Sequence, residues 1–492
     1  WILNSGWSIG DGELVANNAT SIAYQSISAQ PNKTYKVTFT VSNYVSGNVK
    51  FQFLGGSNSG ALRTSVGTYS ETITLDASAN GNFSFSRTQN FNGSIDNVSV
   101  KEVTTTTNTP RIDFSNDSEG ALLLEPQRTN LITDSEDFSA SSWVENNTTA
   151  ISSNEVNPSG DSYTYKVNSN VGSTVNSSFI YEILSGLTPS VAYSYSVFAK
   201  KGGYDGVKVL FDDGSNLSNN AQAIFNLNDG SITSIQAIGT FSGVTAKAED
   251  FGNGWYRCTV SSVVSSTGAT RARIYNNDTT ITVGDGTKGA YLYGAQLEEG
   301  SYSTSYIPTY GTISSRLQDT CSNGGNENVI NSEEGVLYAE ISSLNEISNN
   351  ASFLSLGSGT YTNNSVYLQL RSGANQIGIW AYSNGVNQSA EVITLSDITQ
   401  MNKIAISYKL NDFKVYLNGS VAYANTSYST MTPNSLNVLE FARDEINPFY
   451  GKTSQIQYFN TALTDQELTD LTYPITYDSF NEMANALNLT II

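Results

Sequence analysis

TYKVTFTV, Thr34 to Val41, is the stretch whose reading decides the fold. Strict alternation sets Tyr35, Val37, Phe39 and Val41 on one face of a strand and Lys36, Thr38 and Thr40 on the other. A content of β-branched and aromatic residues suits a pleated, half-buried surface. Working outward, the same alternation returns at Val49-Phe51-Phe53, Ile73-Leu75, Phe83-Phe85 and Ile95-Val98-Val100, separated by Gly, Asn and Ser turns. Residues 1–103 therefore read as one β-sandwich, opened by Trp1 and Trp7 (GWSIGDGELV) and closed by GSIDNVSVKEV.

Residues 133–312 repeat the plan with longer loops. Tyr35 stands four residues after Pro31, and Tyr193 four residues after Pro189 at the head of another alternating strand, Tyr193-Tyr195-Val197-Ala199. Trp143 follows an acidic lead-in as Trp7 follows its own, and AYLYGAQLEEG closes the module where a closing strand is due. Such parallels imply a shared topology. Trp7, Trp143, Trp255, Tyr35 and Tyr193 keep strand phase and are expected in the cores.

A third module spans 335–474, with strands at VLYAEI, SFLSLG, SVYLQLR, IGIWAY, KIAISY, FKVYL, LEFAR and SQIQYF. Asn418-Gly419 marks a type I′ hairpin, because both positions need φ > 0. Thr464 to Glu467 is a capping-box pattern opening a short helix, and Ser479 with Glu482 opens another within the 475–492 tail. The segments 104–132 and 313–334 read as joints. The first carries the apolar run Ala121–Leu124 stopped by Pro126, which predicts an ordered segment packed on a neighbouring module rather than a loose linker. The fold class expected is all-β, three jelly-roll sandwiches in series with short C-terminal helices.

Composition narrows the function. Among 492 residues, 44 are acidic and 24 basic, a net charge of −20 that argues against phosphate-neutralising contact with nucleic acid and against an anionic membrane. The absence of histidine removes Ser-His-Asp and Cys-His catalysis and His-based zinc sites. Two cysteines, Cys258 and Cys321, make no disulfide framework, and Cys258 reads as a small core residue. No phosphate-binding loop and no full calcium loop occur; Asp212-Asp213-Gly214, Asp229-Gly230 and Asp285-Gly286 are turn dipeptides. No apolar run is long enough to span a membrane and no signal-peptide pattern opens the chain, which begins inside a strand pattern as though an N-terminal portion preceded Trp1. A carboxylate pair on Glu340 and Glu440 is the remaining catalytic option, but no short acidic spacing supports it, and both read as surface charges. Exposed rings beside Asn, Gln and Asp would stack on sugars, and Tyr44, Tyr69 and Tyr204 occupy loop-like or strand-end positions suited to that.

The phrases ALLLEPQRTNLI, TDSEDFSASSW, GWYRCTV and YLYGAQLEEGSYSTSYIPT, with the Arg316 to Asp319 segment, resemble structural proteins of tailed bacteriophages and prophages. There they accompany carbohydrate-binding-module-like jelly rolls, to which the first module is also similar. The third resembles concanavalin A-like or laminin-G-like sandwiches through KIAISYKLNDFKVYLNGS and YGKTSQIQYFNTALTDQEL. The resemblance implies a non-enzymatic virion fibre or adhesin-like protein on the particle surface, touching host-surface glycans and other virion proteins, with trimers common in such fibres. A head or tail decoration or spacer is the alternative reading, and a polysaccharide depolymerase a third. It also implies a structural Ca2+ held by Glu13 with Asp96, where first and last strands meet.

Overall fold

The computed structural model describes residues 1–103, 110–115, 119–214, 217–264, 270–345, 352–357, 361–371, 375–443 and 447–473. The second capping box, at Ser479, lies outside them. The chain divides into two compact units, one of residues 1–107 and 128–316, the other of 108–127 and 317–492.

The first unit holds two sandwiches. Ten strands build the first: β1 Ile2–Leu3, β2 Trp7–Gly10, β3 Glu13–Ala19, β4 Ala23–Ser26, β5 Thr34–Ser46, β6 Lys50–Phe53, β7 Asn58–Ser59, β8 Gly67–Thr74, β9 Asn82–Ser86 and β10 Phe91–Glu102. They form sheets in the orders β1-β4-β9-β6-β7 and β2-β3-β10-β5-β8. As the alternation requires, Tyr35, Val37, Phe39 and Val41 of β5 are buried. The opposite face carries hydroxyls paired across to β8, Thr34–Thr74 at 2.8 Å, Thr38–Ser70 at 3.1 Å and Thr40–Thr68 at 2.9 Å.

Short strands β11 Arg111–Asp113, β12 Ala121–Leu124 and β13 Arg128–Asn130 follow. The second sandwich then uses β14 Trp143–Asn146, β15 Thr148–Ser153, β16 Thr164–Ser169, β17 Phe179–Leu184, β18 Ala192–Gly202, β19 Gly206–Asp212, β20 Asn220–Asn226, β21 Ile232–Ile238, β22 Ser242–Asp250, β23 Trp255–Val263, β24 Thr270–Asn277 and β25 Gly289–Glu299. Its sheet orders are β14-β17-β24-β19-β20-β21 and β15-β16-β25-β18-β23-β22. Removing the hairpin β21–β22 leaves the strand order of the first sandwich, so the longer module is the same topology with one strand added to each sheet. The repeated Pro-x3-Tyr has a physical reason. Tyr35 Oη accepts the Gln30 backbone N–H at 2.8 Å and Tyr193 Oη that of Thr188 at 3.3 Å, each the residue before the proline. All five aromatics expected in the cores are buried, Trp255 at 1 % exposure. Within this unit the sandwiches share a buried charge pair, Lys36 Nζ–Glu136 Oε2 at 2.6 Å, and the Glu136 carboxylate also accepts from the Tyr293 hydroxyl at 3.1 Å.

The second unit is a third sandwich. After β26 Ser314–Arg316, which pairs with β13 in the first unit, come β27 Gly335–Ser343, β28 Ser352–Gly357, β29 Ser365–Arg371, β30 Gln376–Ser383, β31 Val386–Thr394, β32 Asn402–Tyr408, β33 Phe413–Leu417, β34 Ser420–Asn425, β35 Val438–Glu440, β36 Ala442–Arg443, β37 Asn447–Pro448, β38 Gly451–Phe459 and helix α1 Asp465–Thr472. Its large sheet runs β11-β12-β38-β27-β32-β33-β34, so the apolar run of the 104–132 segment is an edge hairpin of this sandwich, with Leu124 in its core. Arg111 ties it down by pairing with Glu125 and Asp319. Asn418 and Gly419 have φ of 48° and 84°, as the type I′ turn demands. Thr464 Oγ1 and the Glu467 carboxylate complete the capping box of α1. The helix packs Leu468 on Val336, Tyr338, Ala405 and Tyr416, covering part of the outer face of this sheet. Opposite it lies a five-stranded sheet, β31-β30-β29-β28-β35.

Candidate functional site

In β29 the aliphatic residues Val366, Leu368 and Leu370 enter the core, and in β30 Ile377, Ile379 and Ala381 do the same. The intervening residues must therefore point away from the core. On that outer face stand Tyr367, Trp380 and Tyr382. Tyr367 is registered directly against Trp380, and Ser365 against Tyr382. The Tyr367 ring lies 5.3 Å from that of Trp380 at 15° and 6.4 Å from that of Tyr382 at 9°, so three rings lie in nearly parallel planes. Gly378 makes room for this arrangement, because a Cβ there would meet the Trp380 ring at 2.1 Å. Trp380 and Tyr382 are half-buried, whereas Tyr367 is only 3 % exposed and backs them.

At one side the Arg443 guanidinium sits 4.3 Å from the ring centre of Phe353, 4.2 Å from that of Tyr361 and 5.9 Å from that of Tyr367. Burial, then the neighbouring Tyr382, push the Tyr367 phenol up to about 12 against the opposing pull of Arg443, so it stays a neutral hydrogen-bond donor. Ser355, registered between Tyr367 and Glu440, extends the row. Glu440 is only 6 % exposed, so the reading of it as a surface charge is corrected: the end of β35 tucks it into the sheet. Glu340 is on β27 of the other sheet, so the two glutamates do not form a pair across one face.

The residues singled out for glycan contact lie in the first unit. Tyr44 and Tyr69 are half-buried and pack on the first core, Tyr44 Oη donating to the Gly47 carbonyl at 3.0 Å, and Tyr69 stacked under Arg63 at 4.5 Å. Tyr204 is corrected outright. The chain bends at Gly203, φ 127°, and sets the ring inside at 0 % exposure, where no sugar can stack. Glu13 and Asp96 do come together, since Leu14 is registered against Ile95 on adjacent strands. Glu13 accepts hydrogen bonds from Ser42 at 3.1 Å and Asn43 at 3.4 Å. Two carboxylates fall short of the roughly six to eight oxygens that Ca2+ takes, and among the described residues no group of three or more acidic or cysteine side chains converges. Cys258 and Cys321 are both free thiols, Cys258 fully buried.

Residues 342–469 match the family model of the concanavalin A-like lectin/glucanases superfamily. No curated protein matches the chain. Among solved structures, the carbohydrate-binding module CBM40 of the Ruminococcus gnavus IT-sialidase is 19 % identical, with a TM-score of 0.25 over 29 % of this chain and 84 % of that one. The tandem CBM22 domains of Paenibacillus barcinonensis Xyn10C are 11 % identical, with a TM-score of 0.24 over 61 % and 94 %. The LG1-3 region of the laminin alpha2 chain is 10 % identical, with a TM-score of 0.21 over 90 % and 96 %.

Proposed function

We propose that this chain is a non-catalytic glycan-binding protein whose ligand lies across the outer face of the five-stranded sheet in the third sandwich. The observation that carries this reading is the pair of half-buried rings Trp380 and Tyr382, held parallel by the buried Tyr367 between them in the set. A pyranose presents an apolar C–H face that stacks on such rings, while its hydroxyls are met by side chains such as the half-buried Gln369 from the same face. The match of residues 342–469 to a lectin and glucanase superfamily supports the assignment, and the separation of Glu340 from Glu440 favours binding over hydrolysis. A glycan array with the full chain tests it: a bound saccharide class is expected, weakened about tenfold by Trp380→Ala, equivalent to about 1.4 kcal/mol. New reducing ends released from a bound polysaccharide would replace binding by catalysis.

Display on a tailed-phage particle as a fibre or adhesin, with host-surface glycans as the target, rests on the sequence phrases around ALLLEPQRTNLI. Immunogold labelling of particles with antibody to this chain would locate it there. Label on particles that attach normally after the platform is mutated would favour the spacer reading instead.

A further inference from the structure

We propose that the outer face of the β14-β17-β24-β19-β20-β21 sheet, in the second sandwich, is a separate site for an acidic saccharide, one bearing carboxylate or sulfate groups, held by the half-buried Lys208 and Arg271 beside the buried Arg273–Asp212 pair. The register places these side chains together. Phe179, Tyr275 and Lys208 are directly opposed across β17, β24 and β19; Tyr181, Arg273 and Leu210 form the next row, and Arg271 with Asp212 the third. All lie on the face opposite Val207, Val209, Ala272 and Ile274, which are in the core.

The charges do not balance on that face. Arg273 Nε pairs with Asp212, which leaves Lys208 and Arg271 without a carboxylate among the described residues. The Lys208 ammonium rests 3.9 Å above the Tyr275 ring and makes no hydrogen bond among the described residues. Burial and then the nearby Arg273 pull its pKa down, the mark of a cation held where an anion would relieve it. Arg271 donates to the Gly214 carbonyl at 3.1 Å. In a chain with 44 acidic and 24 basic residues, such a local excess is against the general trend. Screening over about 8 Å at physiological salt lets it act apart from the distant negative charge.

The fold does not require the arginines, although Lys50 of the first sandwich stands in the place of Lys208 and Asn82 in that of Arg271. The first sandwich shares the strand order, and where the second sets Tyr181–Arg273–Leu210 across three strands the first has Tyr24–Ser84–Gln52. Half-exposed Phe179 and Tyr181 offer ring surface for a sugar, and the guanidinium and ammonium groups offer charge-assisted hydrogen bonds to its acidic substituents. Two unpaired cations are too short a track for a nucleic-acid backbone on a protein of net charge −20.

Affinity electrophoresis of the full chain through gels containing polygalacturonate, dextran sulfate, neutral dextran or single-stranded DNA tests this. Retardation by polygalacturonate assigns a carboxylate ligand and by dextran sulfate a sulfated one. The Lys208→Gln/Arg271→Gln variant should bind about tenfold more weakly, while Lys208→Arg/Arg271→Lys stays within roughly threefold and Trp380→Ala binds as the parent does. Unchanged unfolding midpoints show the variants folded, and Lys208→Gln alone serves if the double variant does not fold. Loss on Trp380→Ala alone would assign the polyanion to the third sandwich and overturn the proposal. No retardation by either acidic polymer, equal retardation by DNA, or undiminished binding by the glutamine variants would also overturn it.

Discussion

Tyr35 and Tyr193 show how one residue fixes a local path: each phenol accepts the backbone N–H of the residue before a proline. Phenylalanine at either position leaves that N–H without its partner and should cost about 1 kcal/mol, read from urea unfolding of the single variants. Gly378 works by absence. Alanine there drives a methyl into the Trp380 ring, so Gly378→Ala should abolish stacking on the platform while the far-ultraviolet circular dichroism stays that of the parent. The platform was legible in principle. Tyr367, Trp380 and Tyr382 fall in the phase opposite the aliphatics of SVYLQLR and IGIWAY, which marks them as outward-facing, whereas attention to loop positions picked Tyr204, which is buried. Arg443 could not be found that way, because the rings it rests on, Phe353 of β28 and Tyr361 in the turn before β29, are distant in sequence.

At the scale of elements, the apolar run Ala121–Leu124 was readable as an ordered strand, but its partner was not, because β12 pairs with β38 more than three hundred residues later. Without β11 and β12 the edge of β38 is bare and the core loses Leu124. Residues 317–492 expressed alone should aggregate, and the same segment with 108–127 joined ahead of it by a Gly/Ser linker should give a soluble, cooperatively unfolding domain. Leu124→Ala should cost about 3 kcal/mol in that domain. The hairpin also confers an acid sensitivity. Burial works to raise the Asp113 pKa, but hydrogen bonds from Lys452 and Ser115 outweigh it and hold the carboxyl below the usual aspartate range. A depressed folded-state pKa contributes stability that is full above the unfolded-state value and is lost as pH falls through the folded one. Unfolding midpoints of this domain should therefore drop as the pH falls below the usual aspartate range, and Lys452→Gln should flatten that part of the curve.

In the whole molecule, three sandwiches fall into two compact units, with the first and second together. Repetition of strand order and of Pro-x3-Tyr made their kinship visible in sequence; the Lys36–Glu136 pair that joins them was hidden, since neither residue carries a local signal. Lys36→Met removes the counter-charge from a carboxylate of 4 % exposure and should cost about 3 kcal/mol, splitting one calorimetric transition of the first unit into two. Trp380 itself can report on whether the ring platform takes the glycan. With 5-fluorotryptophan at the five tryptophans, assigned by Trp380→Phe, fluorine resonances are followed during titration with the saccharide that the array identifies. The Trp380 resonance is expected to shift with saturation while those of buried Trp7, Trp143 and Trp255 stay in place. A Trp380 resonance that remains fixed while the glycan is fully bound would contradict binding at the platform.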